Sequence, residues 1–138
     1  MKINHLGIVV EDIASALAFW RDALGLPLDK TERNEAEEID IAFLPLGSGE
    51  IELIAPYNET SGVAKYLAKR GPGLHHVCLE VEDIEAIVAR LQAHGVHMIN
   101  ESPKINADGV KYCFVHPKSA LGVLVELYEL PEKRATQE

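Results

Sequence analysis

The chain has 138 residues, 47% hydrophobic and 25% charged, with a formal net charge of −9. That is the size and balance of one soluble globular domain. It excludes a membrane span, because no run approaches the ~18 apolar residues one needs, and a nucleic-acid binder, which would carry a basic stripe. The opening MKINHLGIVV enters a strand pattern at once and has no signal-peptide layout, so a cytoplasmic location is expected. Cys78 and Cys113 both fall in strand-like runs and are expected to be buried free thiols.

In chain order, residues 3–10 alternate as a strand, with Leu6, Ile8 and Val10 on one face and His5, Gly7 and Val9 on the other. Asp12 is an N-cap signal. The helical spacing of Ile13, Ala16, Leu17, Trp20 and Leu24 then predicts a helix over 13–24, stopped by Gly25. A short strand is expected over 26–31. The run Glu32 to Asp40 is acidic and reads as a solvated edge. IDIAFLPL, 39–46, is a strand with Asp40, Ala42 and Leu44 on one face. After the Gly47-Ser48-Gly49 turn, 50–56 is another, with Glu50, Glu52 and Ile54 together. Residues 57–72 form a joint with a short helix, GVAKYLAKR. A strand at 74–81 follows, then a helix capped by Asp83 and ended by Gly95. A strand near 96–100, a loop from Pro103 to Gly109, and a hairpin of 110–115 with 122–129 complete the pattern, and Pro131 to Glu138 reads as a frayed tail.

The chain repeats itself. INHLGIVVEDI at 3–13 aligns with GLHHVCLEVEDI at 73–84, pairing His5 with His76 and Asp12 with Asp83. AFL at 42–44 aligns with CFV at 113–115, and EIEL at 50–53 with LVEL at 124–127, which sets Glu52 opposite Glu126. The expected architecture is therefore α+β: two tandem βαβββ modules, about 1–56 and 73–130, joined by 57–72, forming a curved mixed β-sheet.

Each copy thus contributes one histidine at its first strand and one carboxylate in its last. Imidazole and carboxylate are the ligands a divalent transition metal takes, so His5, Glu52, His76 and Glu126 are the candidate metal set. Taken singly, each is more often a hydrogen-bonded strand histidine or a solvated strand carboxylate. Duplication favours the metal, since a buried carboxylate is costly unless paired or metal-bound. The repeat register selects His76 over His75, which is expected on the opposite face. His94 and His97 flank Gly95 and are expected to be exposed, and His116 lies in a loop. An anionic small ligand would need a local basic patch, for which Lys104, Lys111 and Lys118 are available.

These stretches, with HPKSALGVLVEL at 116–127, resemble the vicinal oxygen chelate superfamily, which includes glyoxalase I, extradiol dioxygenases, bleomycin-resistance proteins and methylmalonyl-CoA epimerases. The likeness is greatest to the epimerases and covers residues 3–130. It implies epimerisation at C2 of an acyl-CoA through an enolate, with one divalent ion (cobalt, manganese, nickel or zinc) held by His5, Glu52, His76 and Glu126. It further implies two carboxylates as proton carriers, one matching Glu126 and the other Asp40. In the family the position of Glu52 is often Gln. The HPKSALG loop invites a substrate-binding part for Lys118 and Ser119, and a homodimer is expected. The same ligand set occurs in bacterial glyoxalase I, so a lactoylglutathione lyase is the alternative, followed by a metal-free small-molecule-binding module of the same fold.

Overall fold

The computed structural model describes residues 1–132, so the expectation for the tail beyond Glu132 lies outside the described residues. Among the described residues eight strands and three α-helices follow one another as β1 (Lys2–Val9), α1 (Ile13–Leu17), β2 (Lys30–Asn34), β3 (Ile39–Leu46), β4 (Gly49–Pro56), α2 (Gly62–Arg70), β5 (Gly73–Glu80), α3 (Ile84–Ala93), β6 (Lys104–Ile105), β7 (Lys111–Val115) and β8 (Val125–Glu129). They form two compact units. One is His5–His76; the other is Met1–Asn4 with Val77 onward. The division falls inside β1 and β5, the strands that open the two repeats.

In the His5–His76 unit the strand order is β2-β3-β4-β1. β1 and β4 are parallel, with Gly7 opposite Glu52; the other pairs are antiparallel, with Phe43 opposite Glu52 and Arg33 opposite Asp40. α1 starts where expected: the Asp12 carboxylate accepts the Ser15 N–H, one of the donors a helix start leaves unpaired. It lies against β3 and β4. Leu17, Ala42, Leu44, Ile51 and Leu53 form the core beneath it, with Leu6, Ile8, Ile13 and Trp20 at its margin. The predicted helix over 13–24 is not uniform: after Leu17 it widens into a π-helical turn, Ala18–Ala23. α2 matches the predicted GVAKYLAKR, capped by Ser61, whose hydroxyl accepts from Val63 N–H and donates to the Glu37 carbonyl. The strand expected at 26–31 lies instead at 30–34, where it pairs with β3.

The other unit repeats the plan, in the order β5-β8-β7-β6 with β5 and β8 parallel. Asp83 caps α3 through the Ala86 N–H. Val81, Ile84, Val88, Met98, Cys113, Val115 and Leu127 form its core. The register is the same as in the first unit. Cys78 stands opposite Glu126 and Phe114 opposite Glu126, as Gly7 and Phe43 stand opposite Glu52. At the N-terminal edge of this unit Glu80 accepts from the Asn4 amide at 3.1 Å and pairs with Lys2 at 3.3 Å. The strand expected near 96–100 is a single bridge, Met98 to Val115. The two-residue β6 occupies part of the expected loop. β8 starts at Val125 rather than 122, because Leu121 and Gly122 adopt positive φ after a short 3₁₀ turn over Pro117–Ala120. Cys78 and Cys113 are both buried and free.

Candidate metal centre

Strand alternation decides which side chains can meet. In the His5–His76 unit, Leu6, Ile8, Ala42, Leu44, Ile51 and Leu53 face the core under α1. The opposite face carries His5 and Gly7 from β1, Glu50 and Glu52 from β4, and Ile41 and Phe43 from β3. His76, from β5, joins that face. Its Nε2 lies 2.9 Å from His5 Nε2, and the two rings meet edge to face at 5.1 Å. Glu52 Oε2 lies 2.6 Å from His5 Nε2. His5 is 2% exposed and His76 7%.

His76 reaches this position because residue 7 is glycine. Its imidazole lies over the Gly7 Cα, in the space a Cβ there would fill: Nε2 would be 2.7 Å from that atom, and two further ring atoms nearer still. The other ring nitrogen, Nδ1, is 2.9 Å from Nδ1 of His75.

Three ligand atoms of His5, Glu52 and His76 lie within 4.8 Å of one another. Two donors bound to one cation at right angles and at about 2.1 Å would stand about 3.0 Å apart, close to the 2.6 Å and 2.9 Å separations here. The donor set also fits in chemistry: two imidazoles and a carboxylate suit a divalent transition metal. Most telling is Glu52 Oε2, which is buried and has no hydrogen-bond partner. It lies within ion-pair distance of His5 Nε2 but takes part in no hydrogen bond. A buried carboxylate oxygen left in that state carries a desolvation cost that a cation would cancel. The electrostatics agree. Burial, then the charges of His5 and His75, push His76 down to about 3, so its imidazole is a neutral donor. Burial, then the negative charge of Glu52, raises Glu50.

The remaining sequence expectations fare differently. Glu126 lies in β8, 6% exposed, in the register position that corresponds to Glu52. Asp40 is not brought to the cluster. It shares the helix-covered parity of Ala42 and Leu44, pairs across to Ala55, and points away from Glu52. Both its oxygens are held by Arg33, at 2.8 Å and 3.0 Å, and that pairing keeps its carboxyl below the usual range. It lines a shallow cavity of about 300 Å³ with Ile13, Thr31, Glu32, Arg33 and Ile41. The expected role of Asp40 as second proton carrier therefore loses its geometric basis. Ser119 Oγ accepts the His97 N–H at 2.8 Å, a bond that fixes the 3₁₀ turn, while Lys118 is exposed and its backbone N–H donates to His116 Nδ1. His75 was missed as a contact of the cluster. Alternation put it on the far face, and nothing in its spacing signals the ring-to-ring contact with His76.

The family model of the Glyoxalase/Bleomycin resistance protein/Dioxygenase superfamily matches residues 4–114, and the chain belongs to that superfamily. An ethylmalonyl-CoA/methylmalonyl-CoA epimerase of Cereibacter sphaeroides is 37% identical over 131 residues, covering 94% of this chain and 98% of the relative. The mitochondrial methylmalonyl-CoA epimerase of Homo sapiens is 35% identical over 127 residues, 91% of this chain and 72% of the relative. A solved methylmalonyl-CoA epimerase in complex with methylmalonyl-CoA and NH4+ matches with a TM-score of 0.83 at 32% identity, over 94% of each chain. Within the superfamily, then, the chain is an enzyme of the methylmalonyl-CoA epimerase family. Among the described residues no helix is long and apolar enough to cross a membrane.

Proposed function

We propose that this chain interconverts (2R)- and (2S)-methylmalonyl-CoA by a proton transfer at C2 that depends on a divalent metal. The observation that carries the reading is the meeting of His5, Glu52 and His76, with a buried Glu52 oxygen among them that no hydrogen bond satisfies. The substrate is taken from the ligand named for the solved epimerase at 32% identity.

The C2 proton lies between a thioester and a carboxylate, and its removal leaves an enolate whose charge needs a prepared electrostatic partner. A divalent ion at this site would act as a Lewis acid toward the carbonyl oxygens flanking C2. His5, Glu52 and His76 would hold it, with Glu126 as fourth ligand. Glu126 is assigned on its burial and on the repeat register, which gives it the strand position of Glu52. Glu126 is also assigned as the proton carrier on one face of C2. The carrier on the other face is a group other than Asp40, which faces the helix side and is tied to Arg33. Lys118, exposed within the 3₁₀ turn, is assigned a contact with an anionic group of the acyl-CoA.

Incubation of metal-loaded protein with methylmalonyl-CoA in deuterated water tests this. Solvent deuterium at C2 together with equilibration of the two epimers is the expected result. No exchange at C2, with turnover of the methylglyoxal–glutathione adduct instead, would replace the epimerase reading with the lyase.

A further inference from the structure

The two ring nitrogens of His76 have separate partners. Nε2 belongs to the cluster, 2.9 Å from His5 Nε2. Nδ1 lies 2.9 Å from Nδ1 of His75, the preceding residue, and the two rings stand at 84° to one another. His75 is itself held from behind. The Tyr66 ring of α2 meets it edge to face at 4.7 Å, and the Tyr66 hydroxyl donates to the Leu74 carbonyl at 3.3 Å. α2 thus fixes the start of β5 and the His75 ring together.

A neutral imidazole that offers Nε2 to a cation must carry its proton on Nδ1. That proton needs an acceptor, and metal-binding histidines nearly always have one, which sets ring orientation and basicity. The geometry points to His75 as that acceptor. It is a positioning residue that takes the His76 Nδ1–H on its own unprotonated Nδ1, so that His76 presents Nε2 toward His5 and Glu52. His75 is then the Nε2–H tautomer. The usual acceptor in this role is a carboxylate or carbonyl oxygen; a neutral imidazole orients the ring without adding a negative charge beside Glu50 and Glu52.

The inference rests on the metal reading above, and the test separates the two. Zinc affinity is measured by chelator competition for the wild type, His75→Phe and His75→Asn, each checked for folding by circular dichroism in the metal-free form. His75→Phe keeps an aromatic edge against Tyr66 but offers no acceptor, and binding about 10–100-fold weaker is expected. His75→Asn places an amide oxygen near the same point and is expected to bind as the wild type does. Equal affinity of His75→Phe and wild type would overturn the role of His75, as would a His75→Asn protein as weak as His75→Phe. No zinc binding by the wild type would instead overturn the metal reading. Should His75→Phe fail to fold, the ¹⁵N histidine spectrum of the zinc-loaded wild type decides. His76 with a proton on Nδ1 and zinc on Nε2 is expected; the reverse arrangement would overturn the assignment.

Discussion

Gly7 and His76 occupy one space. The imidazole of His76 rests on the bare Cα of Gly7, and any side chain at residue 7 would overlap the ring that brings the second histidine to Glu52. A glycine in mid-strand normally weakens the strand; here it admits a ligand.

Gly7→Ala is therefore expected to displace His76 from His5 and Glu52. Overpacking of this kind costs about 1–3 kcal/mol of stability, but the larger effect falls on the site, with loss of tight zinc binding and of C2 exchange. Chelator competition and deuterium exchange, set beside urea unfolding of the same protein, check it. An alanine variant that bound zinc as the wild type does would show that the ring finds another route.

Glu52→Gln and Glu52→Ala separate charge from ligation. In the metal-free protein Glu52→Gln removes a charge whose Oε2 is buried without a hydrogen bond, and a small gain in urea unfolding is expected. The amide oxygen still offers a ligand, so this variant keeps metal-dependent exchange. Glu52→Ala has no oxygen to give, and its melting temperature should no longer rise when zinc is added.

Asp40→Asn is expected to leave epimerisation and C2 exchange unchanged, because Asp40 faces the helix side of the sheet and is spoken for by Arg33. Its effect on stability should be small, as for other solvent-accessible ion pairs. Glu126→Gln serves as the contrast, with exchange at C2 expected to fall sharply.

The metal-free protein should also lose stability as the pH drops. His76 is held at about 3 in the folded state against 6.5 for the free group, with burial as the main cause. Between those values the unfolded chain takes up a proton that the folded chain refuses, so unfolding becomes more favourable as pH falls from 6.5 toward 3. The slope from one such group approaches about 1.4 kcal/mol per pH unit. Urea midpoints at pH 7, 6, 5 and 4 for the wild type and His76→Gln measure it. The variant should show a flatter decline, the remainder coming from the acidic groups common to both.

Much of this was legible before any coordinates. The caps Asp12 and Asp83, the helix GVAKYLAKR and the repeat are local or periodic signals, and the matching registers of Glu52 and Glu126 bear out the alignment that paired them. The parity that turns Asp40 from the cluster was also written in IDIAFLPL, where Asp40 alternates in step with Ala42 and Leu44. A likeness to carboxylates in the family drew it toward the site against that signal. The π-helical turn after Leu17 was not readable, because the apolar spacing of Ile13 to Leu24 reads the same for a helix that widens as for one that does not. β2 slid to 30–34 because its partner, β3, sets its register, and an exposed five-residue strand carries no inward face to fix it from sequence. The seating of His76 on Gly7 depends on a contact between residues far apart in the chain, which no window of sequence contains.

That separation has a thermodynamic side. His5 and His76 are 71 positions apart, and they mark the two ends of one compact unit. A cation gripping both would close a loop as long as the unit itself. On the chain-entropy account of cross-links, closing a loop of that length is worth about 4 kcal/mol against the unfolded chain. The ion that serves the reaction would thus also be a clasp, and a chelator strong enough to strip it would loosen the ends of this half of the molecule as well as silence its chemistry.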